Sequence, residues 1–170
     1  MKEFDALKAE WAAMAKVDPE LAFYLRNQVQ IERWAALRER ARPHVDGFYE
    51  ALVQRLRDEA PADVLTEDQA SWSMLLWRQP SWPETTGIGL CWQAGDLRSC
   101  FSGVRLEPGD PAIAAVLAHP FSQGALSSEY WTVWREEGPP HDLDLQAMVE
   151  TISARVRALW DAYAAVISAR

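Results

Sequence analysis

Gly87-Ile-Gly-Leu-Cys-Trp-Gln-Ala-Gly-Asp-Leu-Arg-Ser-Cys-Phe-Ser-Gly-Val104 is the stretch whose reading decides the fold. Its first six residues alternate, so a strand places Ile88, Leu90 and Trp92 on one face and Gly87, Gly89 and Cys91 on the other. Gln93 to Asp96 carries the turn, and Leu97 to Val104 returns with Leu97 and Phe101 on the apolar side. With Gly95-Asp96 as the central pair the connection is type II′, which sets Leu90 opposite Phe101 and Cys91 opposite Cys100. A turn centred on Ala94-Gly95 keeps the faces and pairs Cys91 with Arg98. Either register gives one bulky apolar face and one floored by Gly87, Gly89, Cys91, Cys100 and Ser102. Glycines in alternate strand positions mark the close approach of another backbone. A crossing helix and a shallow ligand recess both meet that description.

Upstream, Ser71 to Arg78 alternates weakly and adds a third strand, so Trp72 to Val104 holds four of the nine tryptophans and both cysteines. Downstream, Glu107-Pro-Gly-Asp110 turns the chain, and Asp110-Pro111 starts a short helix that His119-Pro120 ends. Glu129 to Arg135, rich in aromatic and β-branched residues, predicts a fourth strand. The last helix, from Asp142 or Asp144 to Ser168, carries a continuous apolar stripe from Leu145 through Ile152, Val156 and Leu159 to Ile167.

Before the sheet the periodicity predicts three helices. Phe4, Leu7, Trp11 and Met14 mark Glu3 to Ala15. Asp18-Pro19 opens a second helix to Arg42, with Leu21, Tyr24, Leu25, Gln28, Ile31, Ala35 and Leu37 on its buried side. Pro43 is expected to stop it, because the residue before proline is pushed out of helical geometry. Val45 to Glu59 is the third, burying Phe48, Leu52 and Leu56. The fold class is therefore α+β in a single domain over 1–170, with a helical part (1–60) followed by a sheet part (61–170). The sheet is antiparallel, of about four strands around the 87–104 hairpin, with the long C-terminal helix packed on it.

Composition bounds the function. The chain of 170 residues is 49% apolar, enough for one real core. Met1 to Glu10 is charged from its second residue and does not read as a signal sequence, and no apolar run approaches the roughly 20 residues of a membrane span. These features predict a cytoplasmic protein without membrane contact, whose two cysteines stay as thiols. Residues 1–60 carry 10 Lys+Arg against 11 Asp+Glu, and residues 61–170 carry 7 against 14. A net of −7 on the second part argues against direct binding of nucleic-acid phosphates and suits a partner protein with a basic surface.

Motifs for chemistry are sparse. His44, His119 and His141 are scattered, and Cys91 and Cys100 lack C-x-x-C spacing, so neither a metal nor another cofactor is expected. Cys91 or Cys100 with His119 or His141 is the alternative, a small enzyme with a thiol nucleophile. No P-loop, G-x-G-x-x-G or G-x-S-x-G run is present, and no lysine follows an acid by two positions as a Glu-x-Lys nuclease core requires.

The aromatic inventory is the positive signal. Trp72, Trp77, Trp82, Trp92, Trp131, Trp134 and Trp160 are too many indoles for one core of this size, and tryptophan is enriched where proteins meet partners. Trp72 and Trp77 are five apart and Trp131 and Trp134 three apart, so on regular strands each pair splits between faces. The expected binding surface is an aromatic patch of Trp72, Trp77, Trp82, Trp131 and Trp134 rimmed by Glu84, Glu136 and Glu137. The function this predicts is non-catalytic: an acidic protein that binds, and inhibits, a basic target which can itself be a nucleic-acid-binding protein. Immunity proteins and phage-borne antagonists of nucleic-acid-guided defence complexes have that profile. A structural homodimer is the remaining alternative.

Overall fold

The structure is a computed structural model that describes residues 18–69, 71–139 and 143–169. The chain divides into two compact units, Met1–Arg42 and Pro43–Arg170. The helix expected over Glu3 to Ala15 lies outside the described residues.

The second and third expected helices are one. Helix α1 runs Pro19–Asp58 with Pro43 inside it. Asp18 caps it as expected, its carboxylate accepting the Glu20 N–H at 2.8 Å. Pro43 removes one amide from the hydrogen-bond ladder, yet the helix resumes. Val45, Phe48, Tyr49, Leu52 and Leu56, at three- and four-residue steps, are buried and hold the segment that follows the proline. The expected buried side of the earlier segment differs more. Leu21, Tyr24, Leu25 and Leu37 are exposed, together with Phe23, Val29 and Trp34.

The unit Pro43–Arg170 is built on a five-stranded antiparallel sheet in the order β1-β2-β3-β4-β5. The strands are β1 (Asp63–Gln69), β2 (Trp72–Arg78), β3 (Gly87–Gln93), β4 (Cys100–Arg105) and β5 (Val133–Glu136). The unexpected strand is β1, Asp-Val-Leu-Thr-Glu-Asp-Gln. Three acids in seven residues hide its alternation, and charge of this kind suits an edge strand, where it discourages pairing with other chains. Strand β5 starts later than expected because Ser128 to Trp131 forms a turn, with the Ser128 N–H bonded to Trp131 O at 2.9 Å.

The β3–β4 register corrects the hairpin. Cys91 pairs with Phe101 and Trp92 with Cys100, one residue out of step with the type II′ pairing. The loop is longer than a two-residue turn: Gln93 N–H bonds Ser99 O at 2.9 Å, and Gly95 takes a positive φ of 76°. Asp96 fills the loop with its side chain, accepting from the Arg98 N–H at 2.9 Å and the Ser99 hydroxyl at 3.0 Å. A one-residue slip moves every side chain to the opposite face. Cys100 and Ser102 therefore turn inward beside Trp92 and Leu90, and Phe101 turns outward.

The inner face is covered by the last four turns of α1 and by α3 (Leu145–Ser168), whose N-cap Asp144 accepts the Ala147 N–H at 3.0 Å. Leu75, Trp77, Leu90, Trp92 and Cys100 meet Phe48, Tyr49, Leu52, Met148 and Ile152 there. The short α2 (Ile113–Ala118) joins the same layer through Val116 against Leu159 and Tyr163. On the outer face the alternate glycines have a different cause from either expected one. A Cβ on Gly87 would lie 2.7 Å from Leu76 Cβ, and one on Gly103 would lie 2.9 Å from Trp134 Cα. Neighbouring strands of the same sheet, not a crossing helix, press on these positions.

Candidate functional site

The face of the sheet opposite the helices carries a half-open recess of about 420 Å³. Its floor is Met74 from β2 and Cys91 from β3, which the antiparallel register sets side by side. Its walls are Trp72, Phe101, Trp131 and Trp134, with Tyr130 and Ser128 from the turn before β5. The rings touch: Trp72 and Phe101 have centroids 5.6 Å apart, and Phe101 meets Trp134 edge-on at 4.9 Å. Glu67 and Arg105 close one side, with Arg105 Nη1 3.7 Å from the Glu67 carboxylate.

Local rules explain how these side chains meet. Trp72 and Met74 are alternate residues of β2, so both point outward while Leu75 and Trp77 point in. Gly103 sits opposite Trp134 in the β4–β5 ladder, and its missing side chain lets the indole lie close over β4. Trp131 does not follow strand alternation, because it lies in the turn ahead of β5. That turn, held by the Ser128 hydroxyl accepting the Trp131 N–H at 3.1 Å, brings Trp131 to the same recess as Trp134.

Of the residues expected on the patch, the structure brings Trp72, Trp131 and Trp134 together. Glu136 is exposed and lies opposite Phe101 in the register, on the outer face beside them. Glu84 is exposed too, but in the loop between β2 and β3, at the other end of those strands from Trp72. Three residues belong to the interior instead. Trp77 is fully buried, and its Nε1–H donates to Leu56 O at 3.0 Å. Trp82, 4% exposed, donates to the Ser168 hydroxyl at 3.1 Å and packs on Trp160. In each case burial is feasible because the indole N–H has found an acceptor. Glu137 is also 4% exposed, accepting from the Ser102 hydroxyl and from Arg155 at 2.7 Å. Burial pushes its carboxyl above the usual carboxylate range, against the pull of Ser102 and Arg155.

Sequence reasoning missed Phe101, Met74, Tyr130, Glu67 and Arg105. Phe101 was legible only with the hairpin register, and Glu67 only with β1.

The groups proposed for thiol chemistry are apart. Cys91 lies on the recess floor, where burial raises its thiol to about 11 despite the opposing effect of Arg105. Cys100 is buried on the inner face, its thiol pushed up by burial and by Glu137. His119 packs against Tyr163 with centroids 5.0 Å apart, and Tyr163 belongs to a different core cluster from Cys100. His141 lies outside the described residues. A thiol held neutral is a poor nucleophile. Among the described residues no group of three or more His, Cys, Asp or Glu side chains is placed to hold a metal ion, and no helix is long and apolar enough to cross a membrane. Comparison with protein-family models, curated proteins and solved structures finds no match to this chain.

Proposed function

We propose that the protein is a non-catalytic binding module that takes an apolar side chain of a partner protein into the outer-face recess. The observation that carries this reading is the convergence of Trp72, Trp131 and Trp134 with Phe101 on one open cavity. Desolvated aromatic pockets of this kind hold the few contacts that dominate an interface. The acid surplus of residues 61–170, with Glu136 exposed beside the recess, favours a partner whose surrounding surface is basic. We place it in the cytoplasm, where both thiols stay reduced, as an inhibitor of its target. An immunity or phage counter-defence role fits that profile.

Affinity capture with wild type, Trp131→Ala and Trp134→Ala, alongside melting curves, tests the reading. Both variants should lose the partner while melting far nearer to wild type than Trp77→Ala does. Salt should weaken the wild-type complex, because ~1 M shortens the screening length to roughly 3 Å. Retention of the partner by both folded variants would end the proposal. A homodimer is the second reading, favoured by the exposed Leu25, Val29 and Trp34 of α1. A sedimentation mass twice that of one chain would support it.

A further inference from the structure

Among the described residues lining the recess, Arg105 is the one cation. Its side chain is only 22% exposed, and its strand position on β4 aims it at the outer face beside Phe101 and Gly103. A guanidinium carries five N–H donors and cannot shed its charge. Here Nη1 reaches Met74 Sδ at 3.3 Å and Glu67 Oε2 at 3.7 Å. A thioether sulfur is a weak acceptor, and the carboxylate contact is longer than a hydrogen bond. The pairing with Glu67 offsets the charge of Arg105 without using up its planar set of donors. A mostly buried cation with donors to spare, standing at the edge of a ring-lined cavity, selects what enters. A neutral apolar group alone would leave those donors to water. A carboxylate attached to a flat apolar body would satisfy both parts of the site, and carboxylate geometry matches the guanidinium fork.

We infer that the recess is a binding site for an aromatic group bearing a carboxylate, with the ring between Trp72, Phe101, Trp131 and Trp134 and the carboxylate on Arg105. The inference rests on the proposed role of the recess and deepens it. The occupant is the C-terminal aromatic residue of the partner chain, since the recess is read above as a protein-docking site, and a free aryl-alkanoic acid is the competing outcome of the test.

The test uses the full chain and probes sharing one ring: 3-phenylpropionate, 3-phenylpropanol, 3-phenylpropylamine, and N-acetyl-glycyl-phenylalanine as free acid and as amide. Binding is followed by the tryptophan indole N–H resonances. The acids should bind on the order of tenfold or more tighter than the alcohol, the amine and the amide, with shifts at Trp72, Trp131 and Trp134. Arg105→Met should erase that preference and Arg105→Lys should keep part of it. A peptide acid tighter than 3-phenylpropionate supports a chain terminus, and the reverse order overturns it in favour of a small acid. An amine or amide binding as well as its acid, no acid binding up to millimolar concentration, or undiminished acid preference in Arg105→Met would each overturn the inference. The comparison of acid, amine and amide on wild type needs no variant to fold. A partner lost by Trp131→Ala and kept by Arg105→Met would leave the recess as the docking site and remove the carboxylate.

Discussion

Gly103→Ala tests the fold and the recess together. A Cβ at 103 would lie 2.9 Å from Trp134 Cα and 3.0 Å from Trp134 Cβ, about half an ångström inside the 3.4 Å where ordinary contact begins. Val133 O, a backbone atom of β5, lies nearer still. No flexible side chain end can move aside, so β5 must shift away from β4. Forced overpacking of this kind costs roughly 1–3 kcal/mol. For a unit the size of Pro43–Arg170 that lowers Tm by about 3–15 °C. Trp134 moves with β5, so the recess changes as well as the stability. Urea unfolding gives the free energy, and the Trp134 indole N–H resonance reports the wall. Gly47→Ala is the control, because nothing lies within 4 Å of a Cβ there and the site is mid-helix. It should stabilise by about 0.5–1 kcal/mol. A Gly103→Ala protein as stable as wild type, with the Trp134 resonance unmoved, would refute the close approach and the placement of that wall.

Other expectations follow from burial. Trp77→Ala should cost about 3–5 kcal/mol, since a fully buried indole and its bond to Leu56 O are both lost, and urea midpoints would show it. Trp131→Ala should weaken partner binding by about 2 kcal/mol, roughly thirtyfold in Kd, measured by calorimetry. Glu137 sets a pH dependence: its folded carboxyl holds the proton longer than an ordinary one of 4.5, so its contribution is complete below about pH 4.5 and is lost as pH rises through the folded value. The stability of wild type minus that of Glu137→Gln should therefore fall from pH 4.5 to neutral, and a rise would show that Arg155 and Ser102 outweigh burial. Cys91, with its thiol raised to about 11, should react slowly with iodoacetamide at pH 7.5, and buried Cys100 only on unfolding.

Much of this fold is legible in the residues. The apolar stripe of α3, the alternation of β3, and the His119-Pro120 stop of α2 each rest on one strong local rule that nothing distant overrides. The failures come where distance decides. Pro43 obeys its local rule only until the buried residues from Val45 to Leu56 hold the helix together beyond it. The acids of β1 mask a strand that exists because β2 needs a neighbour. At the hairpin, an Asp96 side chain lengthens the loop and slips the register by one, which moves Phe101 from core to recess. The same slip explains the mixed outcome for the site. Surplus tryptophan is visible in the sequence, but Trp77 parts from Trp72 and Trp134 by which way a strand faces, and Trp82, in the loop between β2 and β3, is drawn inward where the Ser168 hydroxyl meets its indole N–H.

The indole N–H resonances of the assigned tryptophans, recorded while a captured partner is added, put the recess to its plainest trial. Binding there shifts Trp72, Trp131 and Trp134 and leaves Trp77, Trp82 and Trp92, which lie under the helices, in place. Shifts confined to those interior indoles, or a saturated complex in which the three recess indoles do not move, would contradict the account.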